Sequence, residues 1–261
     1  MIFGIKATGT WGDSLFLTPA LQALKKKGEN SIVEMHNDEQ CHAVSRVFDD
    51  LASVTFCDNP ISKLYDINQE KTHYAQRILN ELNIKEVNCI PKVILKKEEI
   101  NWAKSFLKQY INPVVIVADV SGKWDKTNYR AQFVCPPKEM IQYIVDLYVK
   151  NNYTVLQFGR KEDDRFTPLN NTIHIRGLKI RELLACYFVV GKYIGPDTGD
   201  YHAMLSVNGK CITLHPPENY KMGYIYHELH YLPEYWKDEK TRVRYVDFWK
   251  GFSNKDLEFN F

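Results

Sequence analysis

Asn112-Pro113-Val114-Val115-Ile116-Val117-Ala118 is the stretch on which the fold turns. An Asn-Pro pair breaks the preceding pattern, and an uninterrupted β-branched run follows it. Such a run suits a strand covered on both faces, as in a parallel sheet, and not the alternating strand of a half-exposed one. Downstream, helix-like and strand-like segments take turns. A helix is expected over 137–151 with Pro137 at its first turn, and a strand over 154–158 ending at Gly159. A short extended piece over 172–175, a helix over 180–188, a strand over 189–194, a helix over 201–208 and a strand over 211–214 complete the series. Upstream, the same alternation runs from a strand at 2–7 and a helix at 14–27 through strands at 31–36 and 52–57. The helix over 14–27 closes on Lys25-Lys26-Lys27-Gly28, where the lysines suit the negative end of the helix dipole and Gly28 a left-handed stop. Helices are expected over 40–48, 72–83 and 96–110. Strands alternating with helices imply βαβ units. The α/β chain therefore reads as two Rossmann-like domains, 1–111 and 112–235, hinged at Asn112-Pro113. A tail over 236–261 carries Trp236, Tyr245, Phe248, Trp249 and Phe252, rings that must be buried somewhere.

Composition narrows the function. With 44% hydrophobic and 25% charged residues, the 261-residue chain is a folded globular protein and not a disordered or fibrous one. No apolar run approaches the roughly 18 residues that span a bilayer, and the first residues lack a basic segment followed by an apolar signal core. A cytoplasmic protein is the expectation. A net charge of +2 is too small to announce nucleic-acid binding, although it allows a local basic groove. Cys41, Cys57, Cys89, Cys135, Cys186 and Cys211 contain no C-x-x-C pair. They are expected to be reduced thiols, not a zinc site or a disulfide framework.

Two strand-to-helix loops carry chemistry. The first is Gly9-Thr10-Trp11-Gly12-Asp13-Ser14. In open α/β sheets, ligands bind at such loops, beyond the carboxyl ends of the strands. Gly9 and Gly12 allow close backbone approach. A dinucleotide reading is disfavoured because Gly9-x-x-Gly12 is not G-x-G-x-x-G, and Asp13 would repel a pyrophosphate, even though Glu34 lies where a ribose-binding acid belongs. The alternatives left for Asp13 are a helix cap and a base that takes the proton of an attacking hydroxyl. The second loop is Gly195-Pro196-Asp197-Thr198-Gly199-Asp200-Tyr201-His202. Here Thr198 and the amides at a helix start can bind phosphate oxygens, and His202 lies one turn in, able to donate to the same anion.

Those stretches resemble glycosyltransferase family 9, the heptosyltransferase-like family of lipopolysaccharide assembly. Gly12-Asp13 followed by Leu15-Phe16-Leu17, Pro19-Ala20-Leu21 and Leu24-Lys25 is similar to its opening motif, and Asp197-Thr198-Gly199 with His202 three residues on is similar to its second signature. Ile175-Arg176-Gly177-Leu178 and Arg181-Glu182-Leu183-Leu184-Ala185 are similar to the approach to that signature. The resemblance implies a GT-B fold, two Rossmann-like domains facing across a cleft, with a tail (236–261) that returns to the N-terminal domain. It implies an enzyme that transfers a sugar from a nucleotide-sugar donor with inversion, without a metal or other cofactor. Asp13 would be the base, near an acceptor held by Gly9, Thr10, Trp11 and Gly12. Asp197, Thr198, Gly199 and His202 would hold the donor diphosphate, aided by Gly159 and by a cation among Lys123, Lys126 and Arg130. The N-terminal domain is short for the family, and Thr213-Leu214-His215-Pro216-Pro217-Glu218-Asn219 replaces the usual base-contacting loop.

A hydroxyl of a saccharide or lipid-linked saccharide is the favoured acceptor. Competing readings are transfer to a hydroxylated base in DNA, as in viral DNA modification, and a non-catalytic nucleotide- or glycan-binding module on the same fold. Donor sugar, nucleotide base and oligomeric state stay open. His227-Glu228-Leu229-His230 lacks the spacing of a metalloprotease helix, so no metal site is expected.

Overall fold

A computed structural model describes residues 2–4, 14–58, 78–80, 82–85, 91–117, 136–159, 168–196, 198–215, 243–248 and 251–260. These fall into two compact units, with described residues up to Ile94 in the first and those from Leu95 onward in the second. No helix among the described residues is long and apolar enough to cross a membrane.

The first unit is a parallel three-stranded sheet in the order β1 (Ile2–Gly4), β2 (Ile32–His36), β3 (Ser53–Cys57). Helix α1 (Thr18–Lys26) carries Ala20, Leu21 and Leu24 inward, and the core adds Leu15, Val33, Met35, Val47 and Phe48. The helix expected over 14–27 is shorter. Residues 14–15 are helical and 16–17 form a turn before α1. Pro19 stands at the first turn of α1, where its missing N–H costs nothing. Gly28, at φ +77°, stops it as expected. Helix α2 (Glu39–Ser45) runs into a 3-10 turn at Arg46–Phe48, and Asp38 caps it through a 2.7 Å bond from the Cys41 amide.

The second unit is a six-stranded parallel sheet. Its strands are β4 (Pro113–Ile116), β5 (Thr154–Gly159), β6 (Ile173–Arg176), β7 (Lys192–Gly195), β8 (Lys210–His215) and β9 (Val243–Asp247), ordered β6-β5-β4-β7-β8-β9. Counted from β4, that is 3-2-1-4-5-6, the Rossmann order. Val114, Ile116, Ile194, Ile212, Leu214 and Val246 turn to one face and meet Ile141, Ile144, Val145 and Tyr148 of helix α4 (Lys138–Lys150). The alternate residues Val115, Tyr193 and Cys211 share a register row and point to the other face. Helices α5 (Ile180–Val190) and α6 (Gly199–Ser206) cover that side. The strand expected over 189–194 starts later, because Val189 and Val190 finish α5. Gly191, at φ +65°, turns the chain into β7.

The division between the units falls earlier than expected, at Ile94–Leu95 and not at Asn112. Helix α3 (Lys97–Leu107) belongs to the second unit, where Ala103 and Leu107 are buried and the helix packs on α5. Arg181 at the start of α5 holds Glu99 of α3 in a two-bond pair, Nε to Oε1 at 2.8 Å and Nη2 to Oε2 at 2.6 Å. The described part of the tail supplies the edge strand β9 and then closes the core of the second unit. Phe248 and Leu257 are buried there, Phe252 and Phe259 pack against them, and the Tyr148 hydroxyl donates to the Leu257 carbonyl. The physical reason is that β8 has an open edge and α4 an apolar face, and the tail covers both. Burial pushes the Tyr148 phenol well up.

The described cysteines Cys41, Cys57, Cys186 and Cys211 are thiols, as expected. Burial and the hydrogen bond to Asp38 push Cys41 up to about 11, and burial pushes Cys186 up to about 12.

Candidate donor site at the sheet's switch point

The strand order of the second unit reverses between β4 and β7. In doubly wound sheets the ligand crevice lies there, outside the carboxyl ends of the strands. The chain leaves β7 at Gly195, turns through Pro196, and starts α6 with Thr198 as its N-cap. Thr198 is extended, with φ −138° and ψ 174°, and its side chain makes no cap bond to the helix. Its Oγ1 lies 3.2 Å from Tyr193 Oη. The His202 amide closes the first helical turn on the Thr198 carbonyl at 3.3 Å. The amides before it, at the first helical positions, point out of the helix start by geometry, where the helix dipole also favours an anion.

Three of the residues expected at the donor diphosphate, Thr198, Gly199 and His202, therefore share one turn. His202 is only 5% exposed and its ring sits edge-on to Tyr201 at 4.8 Å. Gly159 is at the same carboxyl edge, at the end of β5, with its carbonyl bonded by the Gly177 amide at 3.2 Å. It stands two strands from β7, about 10 Å away at the usual strand spacing, and so is not part of the Thr198 turn. Asp197, Lys123, Lys126 and Arg130, and in the first unit Gly9, Thr10, Trp11, Gly12 and Asp13, lie outside the described residues. Among the described residues no cluster of His, Cys, Asp or Glu could hold a metal ion.

The structure adds residues to which sequence reasoning gave no role. Tyr187 of α5 is fully buried, and its hydroxyl donates to Asp200 Oδ1 at 2.6 Å. Burial first, and then the Asp200 charge and this bond, hold its phenol proton firmly. Tyr193 is likewise fully buried and donates to the Pro196 carbonyl at 2.7 Å. Two phenols thus brace the loop and first turn of α6 from beneath. A tyrosine in an apolar strand reads in sequence as core, and nothing in its spacing tells which hydroxyl finds a loop.

The solved structures supply the comparison. The glycosyl transferase family 9 protein from Veillonella parvula DSM 2008 matches 95% of this chain and 86% of its own, at 11% identity and a TM-score of 0.62. The fold is that of the family 9 glycosyltransferases. The E. coli ADP-heptose lps heptosyltransferase II matches 94% of this chain and 90% of its own, at 8% identity and a TM-score of 0.56. The dodecameric iron-containing heptosyltransferase TibC, from enterotoxigenic E. coli H10407, is known in complex with ADP-D-beta-D-heptose. It matches 82% of this chain and 58% of its own, at 11% identity and a TM-score of 0.53. No family model matches the sequence, and no curated protein matches it significantly.

Proposed function

We propose that this protein is a metal-independent inverting glycosyltransferase, which moves a sugar from a nucleotide-sugar donor to a hydroxyl of a saccharide or lipid-linked saccharide. The observation that carries the reading is the anion-ready turn Thr198–Gly199 placed at the switch point of a Rossmann-ordered sheet. The family 9 fold supports it, as does the nucleotide-sugar complex of TibC.

In this reading Thr198, Gly199 and His202 hold the donor diphosphate, with Asp197 and a cation among Lys123, Lys126 and Arg130. The acceptor hydroxyl attacks the anomeric carbon on the face opposite the diphosphate. A carbon–oxygen bond forms as the bond to the diphosphate oxygen breaks, and that oxygen keeps the electron pair. Asp13, on the first unit, takes the hydroxyl proton. The helix start and cations stabilise the charge that grows on the diphosphate, so the chemistry needs no divalent ion. The nucleotide sugar is a co-substrate and no other cofactor takes part.

Titration calorimetry with ADP, GDP, UDP and CDP, each in the presence of EDTA, tests the donor half. At least one binds, and binding that appears only when a divalent ion is restored refutes the metal-free claim. A panel of nucleotide sugars, followed by mass spectrometry of saccharide acceptors, tests transfer. A folded protein that releases nucleoside diphosphate from none of them is not this enzyme.

A further inference from the structure

The centre of the second unit's sheet holds a polar group that packing does not explain. Tyr193 lies on β7, fully buried, in a register row with Val115 and Cys211, both also fully buried. A phenol there costs free energy unless its hydroxyl is bonded. Its Oη donates to the Pro196 carbonyl at 2.7 Å, and Thr198 Oγ1 is 3.2 Å away. A phenol has one proton, and a carbonyl can only accept. The Tyr193 proton therefore lies toward Pro196, and in the second contact Thr198 donates while Tyr193 accepts. One buried oxygen ties together both sides of the turn that leads into α6.

Gly195 makes room for it. A Cβ on Gly195 would sit 2.8 Å from Tyr193 Oη and 2.8 Å from the Val117 carbonyl, so the phenol and the strand end would have to shift to admit it. Gly195 has no left-handed φ. Its glycine is required by the phenol and by the neighbouring strand end, not by backbone conformation. The two bonds also differ in strength. At 2.7 Å the bond to Pro196 is of ordinary length for an O–H donor, whereas 3.2 Å to Thr198 is long and weak. When a phosphate oxygen takes the Thr198 proton, the Thr198 oxygen becomes an acceptor, and the Tyr193 proton, shared between it and the Pro196 carbonyl, keeps the hydroxyl aimed at the anion.

We propose that Tyr193 is a positioning residue of the donor site, holding the Thr198 hydroxyl and the start of α6 where a diphosphate meets them. The inference rests on the donor reading above. It names a residue that touches no substrate and acts through Thr198.

The test is a double-mutant cycle on the full chain, reading ADP affinity by calorimetry with EDTA present and unfolding temperature in parallel. Tyr193→Phe is expected to weaken ADP by about 5- to 10-fold, the effect of one lost hydrogen bond. Thr198→Val is expected to weaken it similarly, and the double variant no more than the worse single one. With a donor sugar that is turned over, Tyr193→Phe raises the donor KM by the same factor and leaves kcat unchanged. A phenol that only stabilises the fold would lower the unfolding temperature without this coupling. Affinity within about twofold of the parent, or losses that multiply in the double variant, overturns the proposal. If Tyr193→Phe does not fold, Gly195→Ala serves, since its methyl displaces the phenol. A folded Gly195→Ala chain with parental ADP affinity also overturns it. A parent chain that binds no nucleoside diphosphate sinks the donor reading itself, which is a different result from a parent that binds and a Tyr193→Phe that binds equally.

Discussion

An edge strand of the first sheet and an inner strand of the second are covered differently. In the first, no residue of β3 is buried; Val54, Phe56 and Cys57 are half-covered, and Ser53 and Thr55 face solvent. In the second, β4 buries Val114, Val115 and Ile116, with α4 on one face and α5 and α6 on the other. A strand covered on both sides cannot shift without breaking close packing. A strand at a half-covered edge can. The inner strands of the second sheet therefore hold the loop at their carboxyl edge in place, and Tyr187 and Tyr193 connect that packing to the first turn of α6. The proposed division of labour follows: the second unit fixes the donor, and the first supplies the base.

That contrast can be broken most forcefully at the tail. Phe248→Ala removes a ring that closes the second unit's core, and should cost about 3–5 kcal/mol of stability in denaturant unfolding. A loss below about 1 kcal/mol would mean the tail is not part of that core. Next is catalysis. Asp13→Asn should lower turnover about 10²-fold or more while ADP affinity stays at the parental value, because the amide keeps the size of the side chain but takes no proton. Near-full transfer by a folded Asp13→Asn protein would leave Asp13 as a helix cap.

A smaller effect is expected at the pair that holds α3 to the second unit. Burial alone would raise the Glu99 carboxyl, but the Arg181 bonds, the Lys96 amide and the charges of Arg181 and Lys96 outweigh it and leave it lowered. A carboxyl lowered in the folded state binds its proton more readily when unfolded. Its contribution is thus full above the ordinary glutamate value and is lost as pH falls through the lowered one. Glu99→Gln should cost about 2 kcal/mol at neutral pH and flatten the acid side of the stability profile. An unchanged acid limb would show that the pair contributes little. The smallest effect belongs to the first unit's edge. Phe56→Ala, which removes a half-covered ring stacked with His42 at 3.7 Å, should cost about 1 kcal/mol and leave ADP affinity alone. A loss equal to that of Phe248→Ala would erase the distinction between an edge strand and a closed core.

The sequence by itself determined the α/β class, the alternation of strands and helices, and the turn at Thr198 and Gly199. Each of these is local: a β-branched run, a helical stripe, a glycine at a helix stop or start. Only the tertiary structure decided that α3 joins the second unit and that residues 243–248 and 251–260 complete it. The sequence shows that apolar faces and rings need cover, but not which surface provides it. Val189 and Val190 show the same limit on a small scale, since β-branched residues read as strand yet finish a helix when packing and Gly191 demand it. The braces at Tyr187 and Tyr193 were hidden for the same reason. Whether a buried phenol reaches a carboxylate, a carbonyl or another hydroxyl depends on strand register and helix placement, and those are set by contacts between residues far apart in the chain.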